Sequence, residues 1–258
     1  MVEGNYSVPG GFLASRISPK RTKPFIMSAC PTAIPDMFEI GHISHPGRKR
    51  LLNEDTYDLD SASGLAVVVD GMGGPDAGDI AASFVRDQLR KGLQQGDSPS
   101  EALRNAGQAL RIQRPQQGSQ PSGASAIAAR YSEDGLHLAW VGTCRAIFSD
   151  GRHFRTVAAD AGAATAGKAT GTGANVIQAL GVTPTEKLCI FEARMAFRRG
   201  QSIMLCTDGM LEACSGPELE ASLCDARLGA QEAVEILLMH ALRGEANNNL
   251  TALLLHLA

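Results

Sequence analysis

Apolar and polar residues alternate from Met37 to His45 (MFEIGHISH), the two-residue period of a strand with one covered face. The run GLAVVVD, Gly64 to Asp70, is different: short, apolar at consecutive positions and rich in valine. It predicts a strand buried on both faces. Between the two, HPGRKRLLNEDTYD reads as a basic turn followed by an acidic one. After Asp70 the period lengthens. From about Ala77 to Leu93, Ile80, Phe84, Val85, Leu89 and Leu93 recur at helical spacing. A second helix is expected at SPSEALRNAGQALRI, with Ser98 as N-cap, Pro99 at the first helical position and Glu101 three residues after the cap. The polar, Pro/Gly-rich segment Gln113–Gly123 reads as a loop. ASAIAARYSEDGLHLAWVGTCRAIFSDGRHFRTV then predicts a strand meander turning at EDG and SDG.

Residues 156–174 break every period, being almost entirely Ala, Gly and Thr; a flexible loop is expected there. Strands are predicted near KLCIFEA and SIMLCTD. A helix is predicted at GAQEAVEILLMHALRG, with Val234, Leu237, Leu238 and Ala241 on one face, and a buried strand at LTALLLHLA. Strands, two consecutive helices, more strands and a late helix describe a layered α+β domain. The βαβα alternation of a doubly wound sheet is absent.

Composition narrows the function. The 258 residues are 44% hydrophobic, enough for a core without disulfides. A formal net charge of −3 gives no electrostatic reason to expect nucleic acid or an anionic membrane as partner. No apolar run reaches the ~18 residues of a membrane span. The six cysteines form no CxxC pair, and four sit in or beside apolar runs, as reduced thiols in a cytoplasmic protein would. Residues 1–36 are polar, basic and broken by Pro and Gly; they read as a flexible extension ahead of a domain at 37–258.

Candidate chemistry sits at strand ends. Asp70 closes LAVVV and Asp208 closes SIMLCT; each is followed by Gly-Met. Glu54 and Asp55 follow RLLN, and Asn248 precedes the last strand. A single Asp-Gly at a strand end is ordinarily a turn. Two with the same local pattern, beside an acidic pair and a basic cluster, suggest more. Oxygen ligands without histidine suit hard cations such as Mg²⁺ or Mn²⁺.

The order RLLNED, VVVDGMGG, GASAIAA, WVGTCRAIF, IQALG, IMLCTDGMLE, NNLTALLL resembles the metal-dependent Ser/Thr protein phosphatases of type 2C, in the bacterial form, over roughly Glu39 to Leu257. The resemblance implies a four-layer α/β/β/α sandwich: two antiparallel sheets flanked by helix pairs, with two Mn²⁺ or Mg²⁺ ions at one end. It implies hydrolysis of phosphoserine or phosphothreonine on a protein substrate, opposing a Ser/Thr kinase. Asp70 is expected to bridge both ions, Glu54 and the Gly71 carbonyl to serve one, Asp208 and the position of Asn248 the other, and Arg50 to bind phosphate. A cation pair acidifies a shared water near neutral pH, and a guanidinium offsets charge on phosphoryl oxygens.

The chain also departs from the pattern. Asn248 stands where the family has an aspartate, so the second ion should be held more weakly. Thr143 replaces the aspartate associated with a third ion, and no third ion is expected. Met72 follows Asp70-Gly71 where some relatives carry a histidine, and the flap, about 156–174, is short. Two readings follow: an active phosphatase, with activity reduced by the weaker site, or a pseudophosphatase that keeps the fold as a binding module. Oligomeric state is not legible.

Overall fold

The continuous apolar run forms strand β3 (Leu65–Met72), and its neighbours show why it needs no polar face. Leu65, Val67 and Val69 pack under helices, whereas Ala66 and Val68 meet the second sheet. The structure, a computed structural model, describes residues 37–73, 77–113, 122–158 and 178–258. The expected extension over 1–36, most of the 113–123 loop and residues 159–174 of the Ala/Gly/Thr stretch lie outside them.

The described residues form two antiparallel five-stranded sheets. One has the order β1 (Phe38–His45), β10 (Leu250–Leu257), β9 (Ser202–Cys206), β6 (Arg145–Ser149), β7 (Phe154–Ala158). The other runs β2 (Asp55–Asp60), β3, β4 (Gly123–Ser132), β5 (Gly135–Val141), β8 (Phe191–Met195). Helices α1 (Gly78–Gln95) and α2 (Pro99–Gln113) cover the β3 sheet. Helices α3 (Asp208–Ala213), α4 (Gly216–Leu223) and α5 (Ala230–Arg243) cover the β10 sheet. Leu253, Leu255 and Leu257 of β10 join Val68 and Ile127 in the layer between the sheets. Each such side chain contributes ~1.5–3 kcal/mol when fully buried. These central strands therefore hold their ends, where the chemistry lies, in fixed register. This is the expected α/β/β/α sandwich.

Several local expectations need correction. The acidic "turn" DTYD is the start of β2, whose partner β3 supplies the apolar neighbours it lacks. The meander is two hairpins in two sheets: β4 pairs with β5, β6 pairs with β7, and Gly142–Cys144 carries the chain across. Residues 156–158 are the end of β7, not loop. In KLCIFEA only Phe191 onward is strand, and Lys187 ends a 3-10 turn (Thr185–Lys187). On α1 the buried stripe is Ala81, Ala82, Val85, Leu89 and Leu93, with Ile80 67% exposed. The two alanines let the helix lie close to the sheet, and counting only large residues misplaced the stripe. The Ser98 cap is as expected: Glu101 Oε2 accepts from the Ser98 amide at 2.9 Å.

Candidate active site

The register of β2 on β3 sets Asp55 directly opposite Asp70, and β4 sets Ser125 on the other side of Asp70. Directly opposed like charges repel, and here they are also withdrawn from water: Asp55 is 8% exposed. Burial and the Asp55 and Asp208 charges push the Asp70 carboxyl up to about 8, against a hydrogen bond from Thr143. Burial likewise raises Asp55 to about 6, although Thr207 Oγ1 donates to its Oδ2 at 2.9 Å. Asp208, the first residue of α3 where β9 ends, is raised by burial too. So is Glu54, despite the Arg50 charge beside it. Four carboxyl groups thus share one end of the sandwich with their charged forms disfavoured.

Two glycines allow this crowding. A Cβ on Gly71 would lie 2.1 Å from the Gly78 carbonyl oxygen and 2.8 Å from that of Glu54, whose oxygen accepts the Gly71 N–H at 3.0 Å. A Cβ on Gly209 would lie 2.1 Å from the Asn249 carbonyl oxygen. The DG pairs therefore bring backbone against backbone at the site, beyond making turns.

The opposite wall is built from hydrogen bonds. Arg50 Nη2 donates to Asn248 Oδ1 at 2.8 Å, and Asn248 Nδ2 donates to Glu212 Oε2 at 2.7 Å. Glu212 lies four residues after Asp208 on α3, one turn along the same helix face. Asn249 secures the loop that carries Arg50 and Glu54. Its Oδ1 accepts from the Glu54 amide at 3.0 Å, and its Nδ2 donates to the carbonyls of Leu52 (2.9 Å) and Pro46 (3.0 Å). Arg145 braces the Gly142–Cys144 crossing by donating to the Thr143 carbonyl, and its charge favours ionised Asp208.

All six expected site residues, Arg50, Glu54, Asp70, Gly71, Asp208 and Asn248, line one cavity of about 270 Å³. Asp55, a member of the acidic pair already singled out but without an assigned ligand role, and Asn249 line it as well. Asp55 was visible as the second half of an acidic pair; Asn249 carried no signal beyond its place in a run of three asparagines. Thr143 places its hydroxyl 3.3 Å from Asp70 Oδ2 and 3.2 Å from Ser125 Oγ. The oxygen-only donor set and the mutually raised carboxyls fit hard divalent cations, which would relieve both burial and repulsion. Among the described residues, no three Asp, Glu, His or Cys side chains form a group able to hold an ion alone. The third strand-end position, beside Asp70 and Asp208, carries the Asn248 amide. Carbonyl and water oxygens would have to complete any such site.

The protein phosphatase 2C family model matches residues 38–161. Over that stretch the chain is similar to protein phosphatase 2C. Solved bacterial phosphatases share its fold. PppA, a key regulatory component of T6SS in Pseudomonas aeruginosa, is 26% identical with a TM-score of 0.73, over 85% of this chain and 97% of that one. The Mycobacterium tuberculosis serine/threonine phosphatase PstP is 23% identical with a TM-score of 0.70, over 85% of this chain and 98% of that one. A PstP catalytic domain in complex with two manganese ions is 24% identical with a TM-score of 0.70, over 85% of this chain and 97% of that one. No curated protein is similar enough in sequence to match. No described helix is long and apolar enough to cross a membrane.

Proposed function

We propose that the domain hydrolyses phosphoserine and phosphothreonine on proteins with the help of two Mn²⁺ or Mg²⁺ ions. The observation that carries this is the packing of Asp55, Asp70 and Asp208 in one cavity with every carboxyl raised. A fold with no cation to bind gains nothing from that arrangement and is destabilised by it. Asp70 would hold the ions together with Glu54 and the Gly71 carbonyl on one side and Asp208 on the other. When bound, the ions supply an acidified water and withdraw charge from the phosphoryl oxygens. Arg50 binds the phosphate of the substrate through its guanidinium fork. Asn248, whose Oδ1 accepts from Arg50, orients that guanidinium and contributes at most a neutral oxygen to the second ion. The substrate is a phosphoprotein in a pathway with an opposing Ser/Thr kinase.

The test is hydrolysis of a phosphothreonine peptide by the purified chain, with saturable dependence on Mn²⁺. No turnover above a chelator control across millimolar Mn²⁺ would refute it. The engaged Asn248 amide favours a second reading, a pseudophosphatase that binds phosphoproteins without turnover. Phosphopeptide binding with no hydrolysis at saturating Mn²⁺ would select it.

A further inference from the structure

Among the described residues three buried side-chain nitrogen or oxygen atoms lack a hydrogen-bond partner, and two of them, Arg130 Nε and His137 Nε2, belong to residues that line one cavity of about 290 Å³. The cavity lies at the α1–α2 turn, away from the carboxylate cluster. Arg130 is five positions along β4 from Ser125, the residue opposite Asp70, which is about 17 Å at ~3.4 Å per residue.

The register brings a third cation there. Arg130 on β4 is opposite His137 on β5, and His137 is opposite Arg194 on β8. Three basic side chains thus form a rung on the helix-facing side of the sheet, where like charges in opposed positions repel. The acidic groups in reach offset it only in part: Asp97 and Glu192 favour the charged forms of Arg130 and His137, yet both groups stay shifted down by burial. Glu192 Oε2 forms a loose ion pair with His137 Nε2 at 3.6 Å, too long for a hydrogen bond. Asp97 Oδ2 accepts from Asn105, Glu101 is engaged by Ser98, and Asp134 is exposed. Arg130 uses Nη2 on the Leu93 and Asp97 carbonyls at the end of α1, which leaves its Nε–H unpaired. Burial, and for His137 the neighbouring Arg194, hold the protonated forms of both groups below their ordinary range. An anion would reverse that.

We propose that the Arg130–His137–Arg194 rung is a second phosphate-binding site, separate from the carboxylate cavity. The two guanidinium groups supply charge-assisted donors to phosphate oxygens, and His137 Nε2 gains the hydrogen-bond partner it lacks. The same chemistry admits free inorganic phosphate or a second phosphoryl group on a phosphoprotein.

The experiment follows the His137 imidazole resonances of the full chain, in chelator, as inorganic phosphate is added. A saturable shift with a rise in the His137 pKa is expected. Arg194→Gln, at an exposed position that the fold does not depend on, should weaken the response on the order of tenfold. Arg50→Ala, in the other cavity, should leave it unchanged. A His137 that does not respond, or responds alike in wild type and Arg194→Gln, overturns the proposal. A peptide with two phosphothreonines that perturbs His137 at lower concentration than inorganic phosphate assigns the site to phosphoproteins; no gain assigns it to free phosphate.

Discussion

The two walls of the carboxylate cavity handle charge in opposite ways. On the β2–β3 wall, Asp55 and Asp70 are opposed, buried and short of positive partners. On the β10–α3 wall, Arg50, Asn248 and Glu212 form a chain of complementary hydrogen bonds that is complete as it stands. The first wall is finished only by a cation; the Arg50–Asn248–Glu212 chain of the second needs none. Asn248, at a position where the family resemblance implies a carboxylate, belongs to the second kind. The metal-dependent chemistry should therefore lean on Asp70, and the second wall should act mainly by placing Arg50.

The largest effect is expected at Asp70. Asp70→Asn removes the charge proposed to hold the ions and should lower turnover by on the order of 10³. In metal-free protein the same change should stabilise the fold at alkaline pH. The folded pKa is raised from 3.8 to about 8, so stability is fully present below about pH 4 and lost as pH rises through about 8. Wild-type protein in chelator should melt lower at pH 8 than at pH 5. Asp70→Asn should flatten that slope, and Mn²⁺ should restore the wild-type melting temperature. Equal slopes in the two proteins would break the contrast between the walls.

Asn248→Asp would turn the second wall into one like the first. It replaces an amide donor, 2.7 Å from Glu212 Oε2, by a second negative charge. Without metal the variant should melt slightly lower than wild type. With metal, calorimetry should show Mn²⁺ bound about tenfold more tightly, or ~1.4 kcal/mol. Unchanged affinity would mean that residue 248 does not face the second ion.

Strands buried on both faces were the most legible part of the sequence. Leu65–Val69 and Leu250–Leu257 are apolar at nearly every position because helices cover one side and a sheet the other. β2 was not legible: DTYDLD carries three aspartates, and only its pairing with β3 makes it a strand. Helix α4 was missed although it carries a signal in Ser215 and Glu218, a capping box in which Glu218 Oε2 accepts from the Ser215 amide at 2.7 Å. At the site, ligand-type residues stood out because charge at the end of an apolar run is unusual. The residues that hold those in place did not. Asn249 and Glu212 act through contacts 195 and 36 residues away in the chain, and no local pattern encodes such distances.

The smallest effect tests the second wall by itself. Glu212 fixes which way the Asn248 amide points, because its carboxylate can only accept and so draws Nδ2, leaving Oδ1 for Arg50. Glu212→Gln removes that restriction, since a glutamine can donate or accept and the Asn248 amide can then turn over. Glu212 is exposed, so screening limits the energy at stake to ~0.5–1 kcal/mol. This corresponds to a two- to fivefold rise in KM for a phosphopeptide, roughly, with kcat unchanged. Glu212→Lys should do more. A lysine donates to Asn248 Oδ1 and turns Nδ2 toward Arg50, setting donor against donor, so KM should rise further than in Glu212→Gln. A fall in kcat at constant KM in either variant would instead place Glu212 with the carboxylates of the first wall, as part of the cation site.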